Sequence, residues 1–327
     1  MNINRLSGNF SGTFPAFSRS YFHALLNNDR PNIQVICQGI THFNDILPNP
    51  YICRRMSIVH NILPKSKFSF TDLNATIAKF PFDVKFHRRD DSLYFYWIPA
   101  KSARGVDVSH EDGFIEIRNT ILSNSDDYEL TNLLVEQILM LTQGKIYNED
   151  KEIVLKMPLF SIADIEELIN NDCEAIFFFV NKGEDLTISG PVRDVHFGKK
   201  VLKKHNLLNS GEFKKQIHDI ILEVNYKLPD YEQGMVLQMK NGRSGKTEIL
   251  KLITNTVDLI IGKYDYIIFA GEPKKPLMIT NSILNNILPC EWSLVDEYTI
   301  VAPILSAPSW NKLLDAVRKN DVSKDAV

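Results

Sequence analysis

The sequence predicts a mixed α/β or α+β protein, with helices packed on mixed sheets in two subdomains. Three observations carry this. Apolar residues recur at helical spacing in some segments and with period two in others. The chain has 327 residues, more than the ~100–200 usual for one domain. A polar stretch over 145–151 interrupts the pattern near mid-chain. It sets the expected boundary between an N-terminal α+β domain, 1–147, and a C-terminal α/β domain, 148–327, that carries a basic face.

In the first half, a helix is expected over 19–27 and a strand over 33–37, whereas 48–67 matches neither period. Phe82, Val84 and Phe86 alternate with Asp83, Lys85 and His87. With the polar run 88–92 and the aromatic run 93–98, they predict a β-hairpin. Another strand is expected over 114–118. The clearest helix is 126–143. Ser125 is its expected cap, Asp126, Asp127 and Glu129 complement its positive end, and Leu130, Leu133, Leu134, Ile138 and Leu141 form a stripe. Gly144 stands where a left-handed residue ends a helix.

In the second half, a strand over 152–156 precedes a helix beginning at Ser161. Asp164 is at the reciprocal capping position there, and Ile162, Ile165, Leu168 and Ile169 share one face. Residues 175–180 and 186–189 are expected as strands, followed by helices over 198–205 and 212–224. Phe213, Ile217, Ile220, Ile221 and Val224 mark the buried side of the second helix. A hairpin is expected from 235–240 and 247–253, then a strand over 264–270, a helix over 279–288, a strand over 298–302 and a last helix over 308–319.

The composition, 44% hydrophobic and 24% charged, suits a folded core. A net charge of −3 excludes a globally basic nucleic-acid protein but leaves room for a local basic face. Cys37, Cys53, Cys173 and Cys290 are too scattered for a disulfide framework or a zinc site, and fit reduced thiols in a cytoplasmic protein. Residues 1–17 lack the basic and apolar regions of a secretory leader. The longest apolar run, 175–180, is far short of the ~20 residues of a membrane span, so no membrane partner is expected. Frequent Asn and Ile suit an AT-rich genome such as that of a phage or mobile element.

The strongest charge signal is Arg193, Lys199, Lys200, Lys203, Lys204, Lys214 and Lys215, against only Asp194 and Glu212, with His196 and His205 beside them. Lys199/Lys203 and Lys200/Lys204 are i,i+4 pairs. They project like charges from one side of a short helix, a repulsion that a phosphate backbone would relieve. Arg243, Lys246 and Lys251 extend this set if the hairpin packs nearby. The plain alternative is a solvated lysine face.

A second signal is Leu228-Pro229-Asp230 followed by Met235-Val236-Leu237-Gln238-Met239-Lys240, with Glu223 upstream on a helix. This stretch is similar to the PD-(D/E)xK nuclease core. The resemblance implies that Asp230, Gln238 and Glu223 hold Mg²⁺ while Lys240 stabilises the attacked phosphate. Two departures stand out: Asp230 is only eight residues before Gln238, and glutamine replaces the usual glutamate.

Weaker signals are read as structure. Asn241-Gly242-Arg243-Ser244-Gly245-Lys246-Thr247 lacks the first glycine of a phosphate loop, because residue 240 is lysine. Lys85, His87, Arg88 and Arg89 interleave with Tyr94, Tyr96 and Trp97. That composition suits base stacking, but it also suits two buried strands with Arg88 and Arg89 neutralised by Asp90 and Asp91. Asp107, His110, Glu111 and Asp112, a set able to ligate a metal, are expected as an ordinary turn before Gly113 instead. The leading expectation is therefore a non-enzymatic nucleic-acid-binding protein that uses its basic face and no cofactor. The alternatives are a Mg²⁺-dependent nuclease, or an interaction subunit whose lysines meet an acidic protein.

Overall fold

The computed structural model describes residues 57–207, 209–241, 245–270 and 276–323. The helix expected over 19–27 and the strand over 33–37 lie outside them, as do Cys37, Cys53 and Arg243. Helices and strands interleave along the chain, and the sheets are mixed or antiparallel, as the fold class requires.

The first layer runs β1 (Ser57–Leu63), α1 (Phe70–Ile77), β2 (Lys85–Arg88), β3 (Leu93–Trp97), β4 (Val106–Glu111), β5 (Phe114–Thr120), α2 (Ser125–Thr142) and β6 (Lys145–Tyr147). Its six strands form an antiparallel sheet in the order β2-β3-β4-β5-β1-β6. One face is apolar by alternation: Ile62, Tyr96, Val106, Val108, Ile115 and Ile117 pack beneath Leu73, Ile77, Leu130, Leu134 and Ile138 of α1 and α2.

Five expectations change here. Asp107, His110 and Glu111 are on strand β4 rather than in a turn, because Val106 and Val108 between them face the core. Only Asp112 and Gly113 make the turn, both at positive φ. The cap of α2 is Asn124, with Asp127 completing a capping box, and Gln143 rather than Gly144 takes the left-handed position at φ 51°. Arg88 belongs to β2, paired with Tyr94. Residues 152–156 form a single bridge, Tyr147 to Ile153, because Leu155 is 90% exposed and has nothing to pack against.

The middle layer holds α3 (Ile162–Lys182), β7 (Leu186–Ser189), β8 (Asp194–Phe197), α4 (Lys199–Lys204), α5 (Ser210–Leu222) and a π-turn, Glu223–Lys227. The strand expected over 175–180 is the C-terminal half of α3. Ser161 and Asp164 start the helix with a full capping box, and Gly183 ends it at φ 100°. Between these ends Cys173, Ile176 and Val180 lie buried on one side, a helical spacing within a run that also reads as a strand.

The last layer begins with β9 (Val236–Lys240), β10 (Thr247–Ile253), β11 (Leu259–Ile261), β12 (Tyr266–Phe269) and β13 (Leu277–Ile279). It ends with α6 (Asn281–Asn286), β14 (Ser293–Leu294), β15 (Ile300–Ala302) and α7 (Ala307–Lys319). The hairpin β9–β10 forms as expected, and β12 pairs parallel to β10. The helix expected from 279 starts two residues later, because Thr280 caps it and Ile279 ends a strand.

The segment after α2 stays attached to the first sheet through β6, and Leu159, Phe160 and Ile165 complete that layer's core beyond the expected 147/148 boundary. All described residues fall in one compact unit.

Candidate nucleic-acid interface

The lysines lie on two helices, α4 and α5. On α5, burial of Phe213, Ile217, Ile220 and Ile221 turns Lys214 and Lys215 to water. On α4, Val201 and Leu202 are buried while Lys199 and Lys203, one turn apart, are exposed. Both helices pack against α3.

The segment 294–297 reorganises this face. Glu297 Oε2 accepts hydrogen bonds from the N–H groups of Lys200 (2.9 Å) and Val201 (3.3 Å), occupying the start of α4. Burial holds the Glu297 carboxyl above its ordinary pKa. Lys204 Nζ donates to the carbonyls of Leu294 (2.7 Å) and Val295 (2.9 Å). Lys200 is half-buried beside Glu297. The four ammonium groups expected on one side of the helix therefore divide: Lys204, though exposed, bonds the carbonyls of 294–295 and Lys200 is half-buried, whereas Lys199 and Lys203 are exposed.

The other cations are also partly committed. Arg193 Nη1 donates to the carbonyls of Val224 (3.4 Å) and Asn225 (3.3 Å), closing the π-turn. Lys215 pairs with Glu212 at 3.0 Å, and Lys246 lies 4.0 Å from Asp265. Lys199, Lys203 and Lys214 have no carboxylate within 4.0 Å among the described residues. The neighbouring histidines add no charge. His196 is buried with Nδ1 2.9 Å from Thr187 Oγ1, and burial depresses its pKa and that of His205.

The nuclease candidates are spread over three successive segments. Glu223 opens the π-turn, Asp230 is exposed on the following link, and Gln238 and Lys240 share the outer face of β9. No hydrogen bond or ion pair joins any two of the four, and no group of three metal-ligating side chains occurs among the described residues. The set offers two carboxylates, on separate segments.

Most of the hairpin aromatics are used internally. Tyr96 is fully buried and its hydroxyl donates to Asn74 Oδ1 at 2.8 Å, while Tyr94 stacks on Phe70 at 4.2 Å. On the opposite face Phe95 stacks on Trp97, and Arg89 lies 4.3 Å over the Phe95 ring. Arg88 pairs with Asp91, but Arg89 pairs with Asp107 on β4 rather than with its sequence neighbours.

No known protein family, curated protein or solved structure matches this chain. Its chemistry is therefore read from its own residues. No helix among the described residues is long and apolar enough to cross a membrane.

One residue expected to extend the basic patch is instead a buried charge. Lys251 is fully buried on β10, its Nζ has no hydrogen-bond partner, and it lies 5.5 Å over the Tyr264 ring. Burial lowers its pKa to about 8. The available signal was its place in Ile249-Leu250-Lys251-Leu252-Ile253, where strand alternation sets it on the side of Ile253.

Proposed function

We propose that this chain binds nucleic acid without cleaving it, through the exposed lysines Lys199, Lys203 and Lys214. The observation that supports this reading is that these three exposed ammonium groups lack a neutralising carboxylate, whereas the other basic residues of the region have internal work. Glu297 already holds the start of α4, so side chains rather than helix N–H groups would meet phosphate.

Three phosphate contacts imply weak, sequence-tolerant binding, with a log–log salt slope of about −2 to −3. The test is fluorescence anisotropy with labelled single- and double-stranded DNA and RNA across a salt titration, in EDTA and in Mg²⁺. The expected result is the same salt-dependent binding with either addition, lost in Lys199/Lys203/Lys214→Ala. Absence of binding at low salt, or full binding by that variant, overturns the reading. Mg²⁺-dependent cleavage lost in Asp230→Ala would replace it with the nuclease reading.

A further inference from the structure

The four-stranded sheet of the last layer runs in the order β13-β12-β10-β9, so β13 and β9 are its edges. The chain itself closes the first. Met278, the residue of β13 whose main chain points outward, accepts a hydrogen bond at its carbonyl from the Val322 N–H (2.8 Å) and donates its own N–H to Asp321 Oδ1 (3.0 Å). The second edge is bare. The Asn241 N–H donates to the Lys246 carbonyl and the Met235 carbonyl accepts from Leu252, which fixes the phase of the ladder. Residues 235, 237, 239 and 241 turn toward β10, and Val236, Gln238 and Lys240 turn their N–H and C=O groups away from it. Among the described residues, none bonds those outward groups.

An open ladder is a template for another strand. The pattern of β9 selects a second copy of the same strand. Its outward residues are centred on Gln238, so a two-fold axis there pairs Gln238 with itself and Val236 with Lys240 of the second copy. Each of these residues then gives and takes one hydrogen bond. Centring the axis on Lys240 would set ammonium against ammonium, and centring it on Val236 would leave Lys240 without a strand partner. On one face, the half-buried Leu237 and Met239, which pack with Leu250 and Met278, meet Met239 and Leu237 of the second copy. On the other face the Lys240 stem lies on the exposed Val236. Asp230 and Glu232, before the strand, and Lys240, at its end, are all exposed. Antiparallel pairing turns the acidic approach of one copy toward the basic end of the other, whereas parallel pairing would align lysine with lysine.

We propose that β9 is a dimerisation edge, through which two copies of this chain join their sheets antiparallel with Gln238 on the axis. The contact is main-chain bonding reinforced by Leu237 and Met239, so association is weak and follows concentration.

The test is sedimentation velocity of the full chain over about a hundredfold concentration range, which is expected to show a shift from monomer to dimer. Gln238→Pro removes an outward N–H and leaves every β9–β10 bond in place, so it should hold the chain monomeric with an unchanged circular dichroism spectrum. Gln238→Glu and Gln238→Lys each set like charges across the axis and should weaken dimerisation about tenfold. An equimolar mixture of the two should recover it, because Glu then meets Lys. The mixture alone decides if the proline variant does not fold. A monomer at every concentration, a dimer unchanged in Gln238→Pro, or a mixture that associates no better than its separate components overturns the proposal.

Discussion

Lys251 holds an ammonium group inside a layer otherwise filled by Ile253, Ile267 and Phe269, with only an aromatic face nearby. Its pKa falls from 10.5 to about 8 on folding. The unfolded chain therefore binds this proton more tightly, and the penalty is complete below pH 8. Stability should rise as the pH increases from about 8 toward 10.5. Lys251→Met should melt higher than the wild type at pH 7, and the gap should close at pH 10. Equal melting temperatures at pH 7 would contradict this account. His218 acts at the acid end. Burial lowers its pKa to about 4, so stability is lost as the pH falls from 6.5 through 4. Asp172 opposes it: burial raises its pKa to about 7, so acidification from 7 toward 3.8 adds stability. His218→Gln should remove only the first effect, so urea titrations should show its advantage over the wild type growing from pH 7 to pH 4.

At the level of elements, α3 is where local pattern and outcome part. Its capping box was legible, but its apolar second half carries no periodic polar break and satisfies either a strand or a buried helix. The cap decides the outcome in favour of helix, because continuing α3 keeps every backbone group bonded while Cys173, Ile176 and Val180 enter the middle core. Ser161→Ala should cost about 1 kcal/mol. In a chain this long, that appears as a fall in Tm of about 2–4 °C in a thermal melt. Gln143 is exposed and left-handed at the end of α2. Gln143→Gly should stabilise by about 0.5–1 kcal/mol, read as a higher urea midpoint with an unchanged slope.

At the scale of the whole molecule, charge is segregated although the net value is only −3. Outward lysines sit on α4 and α5, and the carboxylates of Asp107, Glu111 and Glu116 gather on the outer face of the first sheet. The cores are less segregated. The first layer takes Leu159, Phe160 and Ile165 from beyond the polar stretch, and Ile169 of α3 packs against both the first and the middle cluster. A fragment of residues 57–147 should therefore unfold at lower urea than one of 57–182. The comparison tests whether the polar stretch is a true boundary. Equal midpoints would favour the boundary at 147/148.

Most helices and the two hairpins could be read from the sequence because their determinants are local: apolar periodicity, capping pairs and turn residues within a few positions. The short strands β8, β11, β13 and β14 could not, since runs of two to four residues carry almost no period. The site divides along the same line. The lysines were visible as composition, but which of them face water depends on Leu294, Val295 and Glu297, about 90 residues away in the chain. The bare edge of β9 was out of reach for the same reason: Val236, Gln238 and Lys240 face outward because β12 and β13 join the sheet on the other side of β10. Local patterns determined which segments fold into which elements. Long-range pairing alone decided which charges are neutralised and which remain available to a partner.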